Sequence, residues 1–313
     1  MKKKSAQPLI GLWAGSSPSH KKDLRAGFLR LKQFGWNLII PQETKRYMAR
    51  PESKVRAYLA GPDASKLKSF LSLWNNPRIQ NIFCMRGGYG TLRLLRDLDS
   101  ISLKKVDKRL WGYSDLTVIQ NYLFQRLGTP WVHSPMITGH SFAKPLPAEA
   151  RVWNQIQAGA ERSVFEELVF NVEALHSPKQ KVINHQNILM IGGNLASFLT
   201  LMGTPWEPNP RRSFLLFLED TNEPPYKLDR LLQQLGAAKL MKKCQGIVLG
   251  HFTKMPFAHD VIRLWARENG FLTIAGVPAG HEAPNVPLPL GVKVTLELKK
   301  SGRGSLRVPF PFL

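Results

Sequence analysis

The chain has 313 residues, of which 43% are hydrophobic and 21% charged. That length and balance suit a two-domain protein with a sizeable core, and they exclude a wholly disordered chain, a collagen-like repeat and a multi-span membrane protein. Lysine and arginine total 44 against 22 acidic residues, a net charge of +22, and a field of that sign attracts polyanions. The basic residues are nevertheless spread along the whole chain, with no basic tail, no Cys/His finger and no basic run interleaved with aromatics. A solvated basic surface is therefore expected, and nucleic acid is not expected as a partner.

Met1-Lys2-Lys3-Lys4 precedes the apolar stretch Pro8 to Ala14, which Gly11 interrupts and no small-x-small cleavage site follows. Leu9 to Ala14 thus reads as a buried first strand rather than a secretion leader. No stretch reaches the ~18 apolar residues of a membrane span. A cytoplasmic protein with no membrane partner is the expectation, export being the alternative. Ser19 is placed to cap a helix that turns Leu24, Phe28, Leu31 and Phe34 inward and closes at Gly35. Leu38-Ile39-Ile40-Pro41 is a second strand. Asp63 to Trp74 is an amphipathic helix with Leu67, Phe70, Leu71 and Trp74 inward. Ile79 to Met85 is a third strand, followed by the turn Arg86-Gly87-Gly88-Tyr89-Gly90 and a helix from Thr91 to Leu98. Arg109 to Tyr113, the helix Asp115 to Leu127 and a strand from Thr129 to His133 complete the pattern. Strands alternating with helices predict an α/β fold with a parallel sheet covered on both faces.

Residues 139 to 149 carry two prolines and little pattern; a helix near Arg151 to Gln157 and the polar stretch Glu173 to Asn187 follow. The boundary is placed there: a first domain over 1–140, a linker region over 141–185 and a second domain over 186–313. The second half reads as mixed α+β. Its strands are Ile188 to Ile191, Ser213 to Leu218, Gly246 to Phe252, Phe271 to Gly276 and Val292 to Leu298. Its helices are Leu195 to Met202, Pro225 to Leu235 and Ala258 to Asn269. In the last strand Val292, Val294, Leu296 and Leu298 share one side, so the other is solvated. The two cysteines, Cys84 and Cys244, lie in apolar runs and read as buried free thiols, which leaves no disulfide framework or cysteine zinc site.

Four segments carry candidate chemistry. In Gly112-Tyr113-Ser114-Asp115, a strand can turn sharply into a helix, lifting Ser114 Oγ clear of the sheet and leaving the Asp115 N–H at a helix N-terminus, aimed at an oxyanion. Leu116 stands where a nucleophile elbow has its second glycine, and the segment also fits a simple helix cap. Arg86-Gly87-Gly88-Tyr89-Gly90 fits a phosphate cradle, a second oxyanion donor from the Gly88 N–H, or a turn needing positive φ. It lacks the glycine pattern and the lysine of nucleotide-binding loops. The apolar strand ending in Glu219-Asp220 can supply a carboxylate that orients a histidine, or can cap the next helix. Pro278 to Gly291 is a stiff, proline-laden loop holding His281, a candidate general base.

Taken in order, Ser114, Glu219 and His281 form a nucleophile, an orienting carboxylate and a base, each just past a strand. The set closely resembles the LD-carboxypeptidases, a family of serine peptidases. The resemblance rests on residues 86–90, Gly112 to Thr117, His133-Ser134-Pro135, Gly192 to Leu195, Leu218-Glu219-Asp220, Gly280-His281 and Leu288 to Gly291, in the family's order. It implies a Rossmann-like first domain, a second domain with a β-barrel-like core, and a Ser114–Glu219–His281 triad. It further implies an oxyanion hole from the backbone of Gly88 and Asp115, no cofactor or metal, a homodimer, and hydrolysis of the bond between diaminopimelate and the terminal D-alanine of murein tetrapeptides. Ser134 stands at a position that usually holds glycine, which makes it, with Arg86, a candidate for contacting substrate. Some relatives resemble microcin C immunity proteins, which cleave peptidyl or aminoacyl sulfamoyl-adenylates; Trp153 and Phe165 are the candidate aromatic clamp for such a base. A non-catalytic, basic nucleic-acid-binding protein is the alternative from another class.

Overall fold

The computed structural model describes residues 9–162, 167–178 and 182–310. The first half builds one sheet. Strand β1 (Leu9–Trp13) leads into helix α1 (Lys21–Phe34), β2 (Asn37–Ile39), α2 (Gln42–Tyr47) and α3 (Asp63–Trp74). There follow β3 (Asn81–Cys84), α4 (Leu95–Asp99), β4 (Arg109–Trp111), α5 (Leu116–Leu127), β5 (Trp131–His133), α6 (His140–Ala143) and α7 (Pro147–Arg162). Strands β5, β4, β3, β1 and β2 lie side by side in parallel. Helix α1 ends where Gly35 takes the left-handed conformation, as its sequence predicts, but its N-cap is His20 and not Ser19. Ser19 Oγ instead lies 3.5 Å from Thr138 Oγ1. Helix α3 is rotated from the expected face: Leu73 and Lys66 are buried beside Phe70 and Trp74, while Leu67 and Leu71 are half-buried. Lys66 is held there by Asp63 at 2.9 Å.

The second half closes into a barrel. Its members are β6 (Glu167–His176), β7 (Ile183–Asn194), α8 (Leu195–Leu199), β8 (Phe214–Thr221), α9 (Pro225–Ala237), β9 (Cys244–Thr253) and α10 (Ala258–Asn269). They continue with β10 (Thr273–Ala275), β11 (Leu288–Leu290), β12 (Val292–Leu298) and β13 (Arg303–Pro309). Seven strands run around it in the order β10-β6-β13-β12-β7-β8-β9, parallel from β7 through β10 and antiparallel elsewhere. The clean alternation predicted for β12 is observed, with its four apolar residues inward. The stretch 141–185 contains α6, α7 and the long strand β6, which pairs with β10 and β13.

Strand β11 laces the halves together. It leaves the His281 loop and adds antiparallel to β5, at the edge of the first sheet, with Leu288 opposite His133. An edge strand tolerates Pro289, because only one side of it needs hydrogen-bond donors. One apolar core runs through both halves, joining Trp111, Trp131 and Trp153 to Met190, Phe217 and Phe310. Of the two thiols, Cys84 is fully buried and Cys244 only partly so; burial raises both pKa values, that of Cys244 to about 12. Among the described residues no helix is long and apolar enough to cross a membrane.

Candidate active site

The elbow forms as its residues predict. Ser114 has φ of +63°, a strained value for a residue with a side chain. Gly112 before it takes φ of +156°, and a Cβ there would meet Cys84 Cβ at 3.1 Å and Leu116 Cγ at 3.2 Å. Asp115 is no mere cap. Its buried carboxylate accepts from Ser16 Oγ at 2.5 Å and the Thr91 N–H at 3.0 Å, while its carbonyl accepts from Thr91 Oγ1 at 2.6 Å. Burial raises its pKa against those hydrogen bonds. The loop after β1, the glycine turn and the elbow are thereby tied into one unit.

The glycine turn lies against Ser114: a Cβ on Gly87 would sit 3.2 Å from Ser114 Oγ. Among the described residues the backbone N–H groups of Gly88 and Asp115 donate to no protein acceptor. Both belong to the short segments that bracket Ser114, as an oxyanion site requires.

Glu219 comes from the end of β8 and is fully buried; His281 comes from the loop before β11. Glu219 Oε2 stands 2.7 Å from His281 Nδ1. Burial disfavours the Glu219 charge, but the His281 and His133 rings outweigh it and hold the carboxyl at about 2. The same pair reads oppositely on the imidazole: burial pulls the His281 pKa down, and the Glu219 charge holds it above the ordinary value. Asp220, the next residue, points the other way. It accepts from Asn194 Nδ2 and the Ala196 N–H at 2.9 Å each, and burial raises its pKa to about 6. Alternation along β8 thus separates the two carboxylates, so only Glu219 serves the histidine.

Ser114 and His281 line one cavity of about 350 Å³ together with Arg86, Gly88, His20, Asp23 and Tyr113. Among the described residues no hydrogen bond joins Ser114 Oγ to the His281 ring, whose edge packs on Tyr113 with centroids 4.7 Å apart. Arg86 reaches the cavity wall and donates from Nη1 to the Pro18 carbonyl at 2.6 Å. It makes no ion pair among the described residues. Ser134 is fully buried and does not line the cavity; its Oγ lies 3.4 Å from the Pro135 carbonyl. Trp153 is also fully buried, packed on Phe34, Phe142 and Trp111, and is unable to clamp a base. Phe165 lies outside the described residues.

Two contributors escaped sequence reasoning. In the sequence His133 stands only as part of a motif, yet its Nε2 lies 3.5 Å from the second oxygen of Glu219. Glu149, the third residue of α7, accepts from the Leu146 N–H at 2.5 Å and from the Asn285 N–H at 2.6 Å. Asn285 Oδ1 in turn accepts from the Gly280 N–H at 3.1 Å, next to His281. A Glu at the third position of α7 is half of a capping box, but Leu146 stands where the box needs Ser or Thr, so the first contact had only a weak sign. The second, spanning 136 positions, left none. The Gly-Gly-Asn segment serves docking: Asn194 N–H donates to Thr117 Oγ1 at 3.0 Å, and Asn121 Nδ2 donates to the Gly192 carbonyl at 2.9 Å.

A strained serine at a strand-to-helix turn, facing a carboxylate-held histidine across a shared cavity, is the arrangement of a serine hydrolase. The LD-carboxypeptidase N-terminal domain matches residues 10–134, and the LD-carboxypeptidase C-terminal domain matches residues 189–296. The murein tetrapeptide carboxypeptidase of Pseudomonas aeruginosa is 32% identical over 77% of this chain and 80% of its own. This chain belongs to the LD-carboxypeptidase family of peptidases. The crystal structure of muramoyltetrapeptide carboxypeptidase from Oxalobacter formigenes superposes with a TM-score of 0.79 at 26% identity, covering 96% of this chain and 98% of that one. MccF in complex with glutamyl sulfamoyl guanosine gives the same score at 19% identity over 99% of this chain and 98% of its own, a likeness of fold.

Proposed function

We propose that this chain is a serine-type LD-carboxypeptidase that releases the terminal D-alanine from murein tetrapeptides, in the cytoplasm, during cell-wall recycling. The observation that carries the reading is the Glu219–His281 pair sharing a cavity with the Ser114 elbow. His281 takes the proton from Ser114 Oγ as that oxygen attacks the carbonyl of the L-centre of diaminopimelate. The oxyanion accepts from the Gly88 and Asp115 N–H groups, each worth roughly 3 kcal/mol of barrier in comparable enzymes. The carbonyl re-forms, the C–N bond breaks, and His281 hands its proton to the departing D-alanine amine. Water then attacks the ester, giving a proton to His281, which passes it to Ser114 Oγ as the Oγ–C bond breaks and the tripeptide leaves with a free carboxylate. Arg86, on the cavity wall with its charge unpaired among the described residues, is suited to the substrate's terminal carboxylate.

Incubation with murein tripeptide, tetrapeptide and pentapeptide, read by mass spectrometry, tests this. The tetrapeptide is expected to lose one alanine and the tripeptide to remain intact. Amidation of the terminal D-alanine is expected to depress kcat/KM strongly. Equal cleavage of amidated and free peptides, or cleavage of an aminoacyl sulfamoyl-adenosine alone, contradicts the reading.

A further inference from the structure

Glu219 has two oxygens, and His281 uses one. The other, Oε1, has no conventional hydrogen bond, nor does either ring nitrogen of His133. Both side chains are fully shielded from solvent. Burying polar atoms without partners is unfavourable, and an apolar ring would fill the same space at no such cost. His133 is instead aimed. Strand β5 supplies it, the β5–β11 ladder places it opposite Leu288, and the rings of Phe217 and Tyr113 flank it at centroid distances of 5.1 and 5.4 Å. Its Nε2 lies 3.5 Å from Glu219 Oε1, at the outer edge of hydrogen-bond reach.

We propose that His133 is a positioning residue: its Nε2–H holds Glu219 Oε1, fixing the carboxylate that orients His281. The inference rests on the triad reading above. An ionised carboxylate only accepts, so the proton between the two belongs to His133 Nε2. The titratable groups facing this ring are Glu219 from β8 and Tyr113 from the turn after β4, with His281 beyond Glu219. The contact also bridges the halves. The segment following His133 packs under the nucleophile's cavity, where Met136 forms part of the wall, while Glu219 belongs to the barrel. Holding Glu219 from the Ser114 side registers the base against the nucleophile, and misplacement of about 1 Å at such a site costs up to 100-fold in rate.

Three variants test this: His133→Phe and His133→Met remove the donor, whereas His133→Gln returns an N–H near the same point. On murein tetrapeptide, Phe and Met are expected to lower kcat about 10- to 100-fold with KM within about twofold, and Gln to recover most of the loss. The low-field NMR resonance of the His281 Nδ1 proton, read without substrate and assigned by its loss in His281→Gln, is expected to shift or broaden in Phe and Met and to return in Gln. Should one donor-less variant fail to fold, the other is compared with Gln in the same way. Wild-type kcat and an unmoved resonance in a folded Phe or Met variant overturn the proposal, as does a Gln variant no better than Met. If the wild-type protein leaves murein uncut, the functional reading fails, and the resonance alone still decides the role of His133.

Discussion

Glu219 and His281 titrate against each other, and the direction of each shift fixes a pH dependence. His281 must be neutral to accept the Ser114 proton, and the Glu219 charge holds its pKa above 6.5. Activity should therefore fall as pH drops, with the acid limb of kcat/KM centred above 6.5. Removing the charge leaves burial as the larger influence on the ring, so Glu219→Gln should move the His281 pKa downward; an NMR titration of the ring proton that shows no movement contradicts this. The stability linkage follows the carboxylate. Its folded pKa of about 2 lies below the ordinary 4.5, so this contribution is complete above about 4.5 and lost as pH falls toward about 2. Chemical denaturation across that range measures it, and the acid-side loss should shrink in Glu219→Gln. At this scale the sequence placed Ser114, Glu219 and His281 in three loop or strand-end segments that the fold brings to one site, although each segment alone equally fits a cap or an ordinary histidine and only their order together points to a triad. Gly88 and Arg86 line the cavity beside Ser114, and Asp115 follows it in the chain. Ser134 turns into the core and not to the cavity; a sequence shows that a residue follows a strand and not which way its side chain turns.

The loop carrying His281 is held from outside by a helix. Glu149 both caps α7 and grips Asn285, and Asn285 grips Gly280. Glu149→Ala would orphan the Leu146 and Asn285 N–H groups, at roughly 1–3 kcal/mol for each that stays buried. A lower melting temperature is expected together with a reduced kcat, since the loop would no longer hold the imidazole in one place; an unchanged kcat would show that β11 alone anchors it. Elements of this kind mark where the sequence ran out. Strand β11 is only three residues, one of them proline, and is a strand because β5 offers it an edge. Strand β6 alternates buried and exposed residues over its first half, but lies within the 141–185 stretch that reads as a linker, and barrel closure decides its state. The bounds of helices α1, α3, α5, α9 and α10 were legible within two residues, because their periodicity is local, although that of α3 put the wrong leucines inward.

One apolar core spans both halves, and the β5–β11 ladder stitches them together. A shared core of this kind favours a site formed before substrate arrives; Ser114 and His281, not hydrogen-bonded to each other among the described residues, are expected to draw together when substrate binds. The net charge of +22 acts at this scale too. Murein peptides are anionic, so kcat/KM should fall as rising ionic strength shortens the Debye length toward its physiological value of about 8 Å, while kcat stays level. A kcat/KM insensitive to salt would leave the basic surface without a part in substrate capture. The central claim is that Ser114 is the nucleophile of a triad completed by Glu219 and His281. Its most direct test is the release of D-alanine from murein tetrapeptide by the wild-type protein and by a folded Ser114→Ala variant. The account predicts loss of about 10⁴-fold or more in the variant, since triad members act as a unit; release within about tenfold of wild type would contradict it.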